Sequence, residues 1–295
     1  MRPGSWDERP PRSLCSLPPE GAPSALRATG RALMRFVVAG NDVYAYSGSR
    51  PLDIALPTVI FVHGAANDHS VWALQSRYFA HHGFNVLAVD LPGHGRSGGD
   101  ALASVEAIAD WIPALLDAAG IDTAALVGHS LGSLAALECA ARSTDRVTKL
   151  VLIGPAAPMP VADMLQDAAK RNDHVAYELI NGWSYSAGAQ LGGTVVPGIW
   201  LTGNALRLME RNRPGVLYAD LLACHTYAAG VDSAAKVRCP ALVIVGTRDI
   251  MAPPRNAQGM IAALPNGRTV ALPECGHAMM AEQPDAVLDA LRAFL

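Results

Sequence analysis

The sequence has few cysteines, and their arrangement excludes two kinds of structural cross-link. Its 295 residues include five cysteines, an odd number, and these are widely scattered without a Cys-x-x-Cys pair. Disulfide-stabilised domains and structural zinc sites both need regularly spaced thiols. The sequence therefore predicts neither a disulfide framework nor a zinc site, and a reducing cytoplasm is the expected location.

An excess of charge of one sign is also lacking, and so are long apolar runs. Lysine and arginine number 23 against 26 acidic residues, and no basic stripe is interleaved with aromatic residues, so nucleic acid is not an expected partner. No apolar run approaches the roughly 18 residues that a membrane-spanning helix needs. Hydrophobic residues are abundant at 51%, which suffices for an extensive core in one large α/β domain or two ordinary domains.

Residues 1–33 differ from the rest of the chain. Six prolines break any helical pattern there, and no apolar periodicity is visible. This stretch also lacks the continuous apolar segment of about 7 to 15 residues that a signal peptide contains. We expect a disordered extension, and Met34, which opens directly into strand-like sequence, is a candidate for the true initiator.

Short apolar runs alternate with helix-like stretches over residues 34–154 and again over residues 237–295. Strands covered on both faces have such runs, and the alternation predicts a mostly parallel sheet with helices on both faces. A ligand crevice is then expected beyond the carboxyl ends of the strands. The intervening residues 155–236 contain helical patterns broken by glycine and proline, which predicts an inserted helical cap. The apolar runs are residues 58–62, 85–89, 124–127, 147–153, 241–245 and 268–272, preceded by a hairpin pattern at 35–47.

A Gly-x-Ser-x-Gly pattern lies between a predicted strand and a predicted helix at residues 128–132. The turn that this position requires is sharp enough for side chains at either glycine to clash, and it lifts the Ser130 hydroxyl to the carboxyl edge of the sheet. A serine hydroxyl becomes a useful nucleophile only with a base, an acid that orients the base, and donors for the oxyanion. Asp249 and His277 each follow a predicted strand, in the order nucleophile, acid, base. The alternative interpretations are that Ser130 serves only as a helix N-cap and that Asp249 serves only as a turn residue.

Together with other motifs, this pattern resembles the α/β-hydrolase fold family from about Met34 to the last residue. The resemblance implies an α/β fold with a mostly parallel eight-stranded sheet flanked by helices and an inserted helical cap. The matching motifs are His63-Gly64-Ala65, Asp90-Leu91-Pro92-Gly93-His94-Gly95-Arg96-Ser97, Gly128-His129-Ser130-Leu131-Gly132, Gly246-Thr247-Arg248-Asp249 and Gly276-His277.

The resemblance also assigns roles to individual residues. Ser130 is the expected nucleophile, His277 the general base and later general acid, and Asp249 the acid that orients the histidine. The backbone N–H groups of Ala65 and Leu131 are the expected oxyanion donors. No cofactor and no metal ion are expected.

Large apolar and aromatic side chains near these motifs are candidates for the substrate pocket. Together they favour an uncharged, apolar or aromatic substrate of modest size. Four other histidines are interpreted as surface or loop residues. The pocket candidates are Trp72, Trp183, Trp200, Tyr218 and Met279, and those histidines are His69, His81, His82 and His94.

These features predict a serine hydrolase that cleaves a small to medium apolar carboxylic ester through an acyl-enzyme. Serine at position 130 argues against haloalkane dehalogenases and epoxide hydrolases, which use an aspartate nucleophile. Lactonases, carbon–carbon bond hydrolases of aromatic catabolism, proline-type aminopeptidases, cofactor-free perhydrolases and slow-turnover ligand receptors remain alternatives. Ala65-Ala66 disfavours the carbon–carbon hydrolases, which usually have a glycine-rich stretch there, and the long cap disfavours perhydrolases. The sequence does not predict the oligomeric state.

Overall fold

A computed structural model of the chain describes residues 33–193 and 198–295. The extension predicted over residues 1–33 lies outside this range, except for Leu33, which begins the first strand. None of the helices in the described ranges is long and apolar enough to cross a membrane.

The described residues form an eight-stranded sheet, as the family resemblance implies, in the order β1-β2-β4-β3-β5-β6-β7-β8. Strand β2 pairs antiparallel with both β1 and β4, and all the other neighbouring strands are parallel. The strands are β1 (Leu33–Val38), β2 (Asn41–Tyr46), β3 (Thr58–Val62), β4 (Asn85–Val89), β5 (Ala124–His129), β6 (Val147–Ile153), β7 (Ala241–Gly246) and β8 (Gly267–Leu272).

Helices cover both faces of the sheet, which explains the unbroken apolar sequence of its central strands. Every residue of β3, β4 and β5 is buried. One buried cluster packs the helices Val105–Ala119 and Leu131–Arg142 against one face, and a second packs Trp72, Phe79 and the helix Pro284–Arg292 against the other. The helices outside residues 155–236 are α1 (Ala73–Ala80), α2 (Val105–Ala119), α3 (Leu131–Arg142), α10 (Pro254–Ala263), α11 (Met279–Glu282) and α12 (Pro284–Arg292), and a 3-10 turn at His69–Trp72 precedes α1.

Residues 155–236, which we call the inserted segment, lie between β6 and β7 and are helical where described. Four of the helices have eight to eleven residues, while α6 and α9 have only four and five. The helices are α4 (Asp163–Lys170), α5 (Val175–Ser184), α6 (Ala187–Gln190), α7 (Leu201–Met209), α8 (Val216–Thr226) and α9 (Gly230–Ala234). The division of the chain into a separate core and cap stays a prediction.

Candidate active site

Ser130 occupies a strained turn between β5 and α3. Its φ and ψ angles are 53° and −120°, a region that residues other than glycine seldom adopt. The turn is held because the Ser130 amide donates to the carbonyl of Ile153 in β6 at 2.9 Å. Side chains at Gly128 and Gly132 would overlap backbone atoms, so both positions need glycine. The sharp strand-to-helix turn that the sequence predicts is therefore present.

His277 and Asp249 meet at the carboxyl edge of the sheet. Nδ1 of His277 lies 2.7 Å from Oδ2 of Asp249, while Oδ1 of Asp249 accepts hydrogen bonds from the amides of Met251 and Ala252. The carboxylate can only accept, so in the neutral ring the proton lies on Nδ1 and Nε2 keeps its lone pair. Ser130 and His277 line the same cavity. In the part of the chain that the structure describes, no hydrogen bond joins their side chains. Such bonds often tighten only when substrate is bound.

The electrostatics of this pair favour an ionised Asp249. Burial alone would raise the pKa of Asp249, but the His277 ring and the amide of Ala252 outweigh burial and hold the pKa below its ordinary value. Behind the pair, His129 Nε2 donates to the His277 carbonyl at 2.9 Å. Burial, followed by the nearby His277, lowers the pKa of His129 to about 3. His129 is therefore neutral and adds no competing charge.

The loop at residues 63–67 brings Ala65 to the wall of this cavity. The carbonyl of Gly64 accepts from His63 Nδ1 at 2.8 Å and from the Asn67 amide at 3.2 Å. His63 must carry its proton on Nδ1, because its Nε2 accepts from the Leu91 amide. In a trans peptide the N–H points opposite to the C=O, so the Ala65 N–H points away from these two donors. Ala65 lines the same cavity as Ser130.

The second predicted donor, the Leu131 amide, is the first N–H of α3. The first turn of a helix leaves its N–H groups without intrahelical acceptors and carries a partial positive charge. Leu131 directly follows Ser130, which is the N-cap of this helix. The arrangement is suited to stabilising a negative oxygen that forms at Ser130.

A cavity of about 610 Å³ opens onto Ser130 and His277, and its walls are mainly apolar. The inserted segment supplies much of the wall, and Trp183 is one of its lining residues. Other apolar lining residues include Met159, Leu165, Ile180, Met209 and Leu221. The volume is within the range of small-molecule sites.

Four of the five side chains predicted for the pocket lie elsewhere, and this corrects the expected lining. Trp72 and Met279 are fully buried in the cluster beneath the sheet, where the Trp72 ring packs 5.2 Å from Phe61. Trp200 is 72% exposed, and Tyr218 lies beneath the Lys170 ammonium group. In three cases a sequence neighbour lines the cavity instead, since successive residues of a helical turn face different ways. Those neighbours are Val71, Leu201 and Met280.

In the described part of the chain, one cluster of possible metal ligands is compact enough to hold a cation. It consists of Asp68, His69 and Asp90. Their ligand atoms are already engaged in the protein. Asp90 accepts from the amide and ring of His69 and from the Arg96 amide, and Asp68 accepts from the amide and hydroxyl of Ser70. These bonds give the cluster a structural role in shaping the 90–97 loop.

Sequence reasoning missed two buried polar residues near the site. His94, interpreted as a surface or loop residue, is 1% exposed, and its Nε2 lies 2.9 Å from Oδ2 of Asp220 in α8. A single acidic residue within the apolar helix α8 was the available signal for Asp220. Its partner could not be read from the sequence because the two residues are 126 positions apart.

The sequence also matches a known family over most of its length. The model of the alpha/beta hydrolase family matches residues 59–290. The chain belongs to the alpha/beta hydrolase family. Its eight-stranded, mostly parallel sheet agrees with membership of this family.

Several relatives of this hydrolase have distinct activities in their names. A pimeloyl-[acyl-carrier protein] methyl ester esterase of Aromatoleum aromaticum is 30% identical, over 78% of this chain and 94% of the relative. The 2-hydroxy-6-oxo-6-phenylhexa-2,4-dienoate hydrolase of Burkholderia cepacia is 24% identical, over 77% of this chain and 84% of the relative. The crystal structure of the enol-lactonase from Burkholderia xenovorans LB400 superposes with a TM-score of 0.78 at 23% identity, covering 88% of this chain and 99% of that one. Hydrolase activity is common to these relatives, whereas the bond cleaved differs.

Proposed function

We propose that this hydrolase is a serine esterase that cleaves a small to medium carboxylic ester with an apolar acyl or alcohol group. The observation that carries the proposal is the convergence of Ser130, at a strained turn, and the His277–Asp249 pair on one apolar cavity. The esterase named among the relatives supports the choice of ester over other bonds.

In the proposed reaction, His277 Nε2 removes the Ser130 proton as Oγ attacks the carbonyl carbon of the ester. The carbonyl oxygen becomes an oxyanion that accepts hydrogen bonds from the Ala65 and Leu131 amides. Collapse of this intermediate breaks the bond to the alkoxy oxygen, which takes the proton from His277 as the alcohol leaves. Water, deprotonated by His277, then releases the acid and restores Ser130.

Asp249 acts through the histidine in this mechanism. Its carboxylate fixes the proton on Nδ1, so that Nε2 faces the cavity as a base. The same carboxylate stabilises the imidazolium that forms after proton transfer. The amides of Met251 and Ala252 hold the carboxylate itself in place.

A panel of p-nitrophenyl esters of increasing acyl length, with lactones and a vinylogous diketone as further arms, tests this proposal. We expect ester hydrolysis with multiple turnovers, and loss of that hydrolysis in Ser130→Ala. Serine-dependent turnover confined to lactones or to the diketone would replace the esterase proposal with one of those activities. Binding of panel compounds without turnover would favour a receptor.

A further inference from the structure

Two side chains of the inserted segment bind the backbone of Ala66, which directly follows the proposed oxyanion donor. Oδ2 of Asp220 accepts from the Ala66 amide at 2.8 Å, and Nδ2 of Asn212 donates to the Ala66 carbonyl at 2.6 Å. Both polar backbone groups of Ala66 are thus fixed by residues more than 140 positions away in the sequence.

Ala66 adopts a conformation that needs such support. Its φ angle is 54°, in the left-handed region that an alanine seldom adopts and that costs of the order of 1 kcal/mol or more. Strained backbone persists where the surroundings over-determine it. The two hydrogen bonds from the inserted segment hold the backbone of Ala66 on one side of the loop. On the other side, His63 holds the carbonyl of Gly64.

Asp220 is itself rigidly held. Its side chain is 1% exposed, and the Oδ2 atom that accepts from Ala66 also accepts from His94 Nε2 at 2.9 Å. His94 in turn donates from Nδ1 to the Pro92 carbonyl at 3.0 Å. A buried carboxylate needs such partners, because an unpaired charge in the interior is costly.

We propose that Asp220 and Asn212 are positioning residues that set the direction of the Ala65 N–H, so that the inserted segment completes the oxyanion hole. The inference rests on the proposed esterase function, in which the Ala65 amide binds the oxyanion. The Ala66 amide belongs to the peptide that directly follows the Gly64–Ala65 peptide, so holding Ala66 at its amide and its carbonyl restricts the Ala65 torsions through which the Ala65 N–H could turn away from the cavity.

A purely structural role for these contacts predicts something different, and the chain offers a matched control. Tyr227, at the end of α8, donates its hydroxyl to buried Glu138 of α3 at 2.7 Å. This is also a buried hydrogen bond between the inserted segment and the rest of the fold, but it does not touch the 63–67 loop. Loss of stability alone should therefore affect Tyr227→Phe and the Asp220 variants alike.

The experiment compares wild type with Asp220→Ala, Asp220→Asn, Asn212→Leu and Tyr227→Phe. For each variant, kcat and KM are measured on p-nitrophenyl butyrate, and the melting temperature is recorded. We expect Asp220→Ala to lower kcat by about 10- to 100-fold with little change in KM, because a displaced donor weakens only the transition state. Asp220→Asn keeps an oxygen for the Ala66 amide and should recover most of that loss. Asn212→Leu should lower kcat in the same direction, and Tyr227→Phe should lower only the melting temperature.

Unchanged kcat in both Asp220→Ala and Asn212→Leu would overturn the proposal, as would an equal loss of kcat in Tyr227→Phe. If Asp220→Ala does not fold, Asn212→Leu decides, since Asn212 is only partly buried. A second readout needs no ester: the rate at which a fluorophosphonate labels Ser130, followed by intact mass. Wild type that is labelled but cleaves no ester would refute the esterase function alone, and slower labelling of Asp220→Ala and Asn212→Leu would still support the positioning role. Labelling at the wild-type rate would then refute it.

Discussion

The carboxyl edge of the sheet and the inserted segment both build the proposed site, but they hold it by different means. At the sheet edge, backbone geometry dominates: the turn at Ser130 is fixed by flanking glycines and by the bond to Ile153. The inserted segment instead acts through side chains: Asp220 and Asn212 form hydrogen bonds with the backbone of the 63–67 loop. In the proposed mechanism, the sheet edge thus carries the reacting groups, while the inserted segment aligns the groups that assist them.

The inserted segment also binds the loop that carries His277. The Ser184 carbonyl accepts from the amides of His277 and Ala278 at 2.8 and 2.9 Å. Next to it, Ser186 donates its hydroxyl to Glu282 at 2.6 Å, and Glu282 also accepts from the Gly276 amide. Both sides of the proposed site therefore depend on helices that contribute no reacting group.

The largest effect is expected from a change at the sheet edge. Asp249→Asn should lower kcat about 10⁴-fold with KM nearly unchanged, because an amide favours the wrong tautomer of His277. Steady-state kinetics on a p-nitrophenyl ester measure the effect. Asp110→Asn, at an exposed carboxylate paired with Arg142, is the control and should retain full activity. A loss of less than about tenfold in Asp249→Asn would contradict the orienting role.

A smaller effect is expected where the inserted segment supports the His277 loop. Glu282→Ala leaves the Gly276 amide and the Ser186 hydroxyl unpaired, so it should destabilise the fold by about 1–3 kcal/mol and lower kcat about tenfold. Urea unfolding and steady-state kinetics give the two numbers. Ser186→Ala, which removes one of these bonds, should have a smaller effect on both. Destabilisation of Glu282→Ala with an unchanged kcat would mean that the segment stabilises this loop without aligning it.

Substrate preference should depend mainly on the inserted segment, which supplies much of the cavity wall. Trp183→Ala enlarges the cavity and should shift the preferred acyl chain toward greater length, with each newly buried methylene worth about 0.8 kcal/mol. The matched control is Trp200→Ala, because that indole is mostly exposed and lies off the cavity. The ratio of kcat/KM across an acyl-length series reports the shift. Equal profiles for the two variants would remove Trp183 from the pocket wall.

The smallest effect concerns pH and the contact between the two regions at His94. Burial alone would lower the pKa of His94, but the Asp220 carboxylate outweighs burial and raises it. The stability from the charged ring is therefore complete below the ordinary value of 6.5 and declines as the pH rises through the raised pKa. His63 and Asp90 also face this ring electrostatically. Urea unfolding at several pH values should show this decline in wild type and a flatter profile in His94→Gln; identical profiles would contradict it.

The difference between the regions also explains what could be predicted from the sequence. The strands and the turn at Ser130 follow from local patterns, since apolar runs and paired glycines lie within a few residues of one another. The pairing of Asp249 with His277 followed from strand ends that share one edge. Contacts such as Asp220 with Ala66 join residues 154 positions apart, and no local pattern encodes them.

The pocket wall was the least predictable part for a related reason. Sequence composition identified large side chains near the site, but which way each one points depends on how the helices pack. Trp72 is turned beneath the sheet, while the adjacent Val71 lines the cavity. A shift of one position on a helical turn thus exchanges a core residue for a pocket residue.

The central claim is that Ser130 forms a covalent acyl-enzyme, and rapid quenching followed by intact-mass measurement tests it most directly. Wild type mixed with a short p-nitrophenyl ester and quenched in acid should gain the mass of one acyl group, located to Ser130 by peptide mapping. Ser130→Ala should gain none and should lose roughly 10⁶-fold in kcat. Full turnover by Ser130→Ala, or an acyl group located at another residue, would contradict the account.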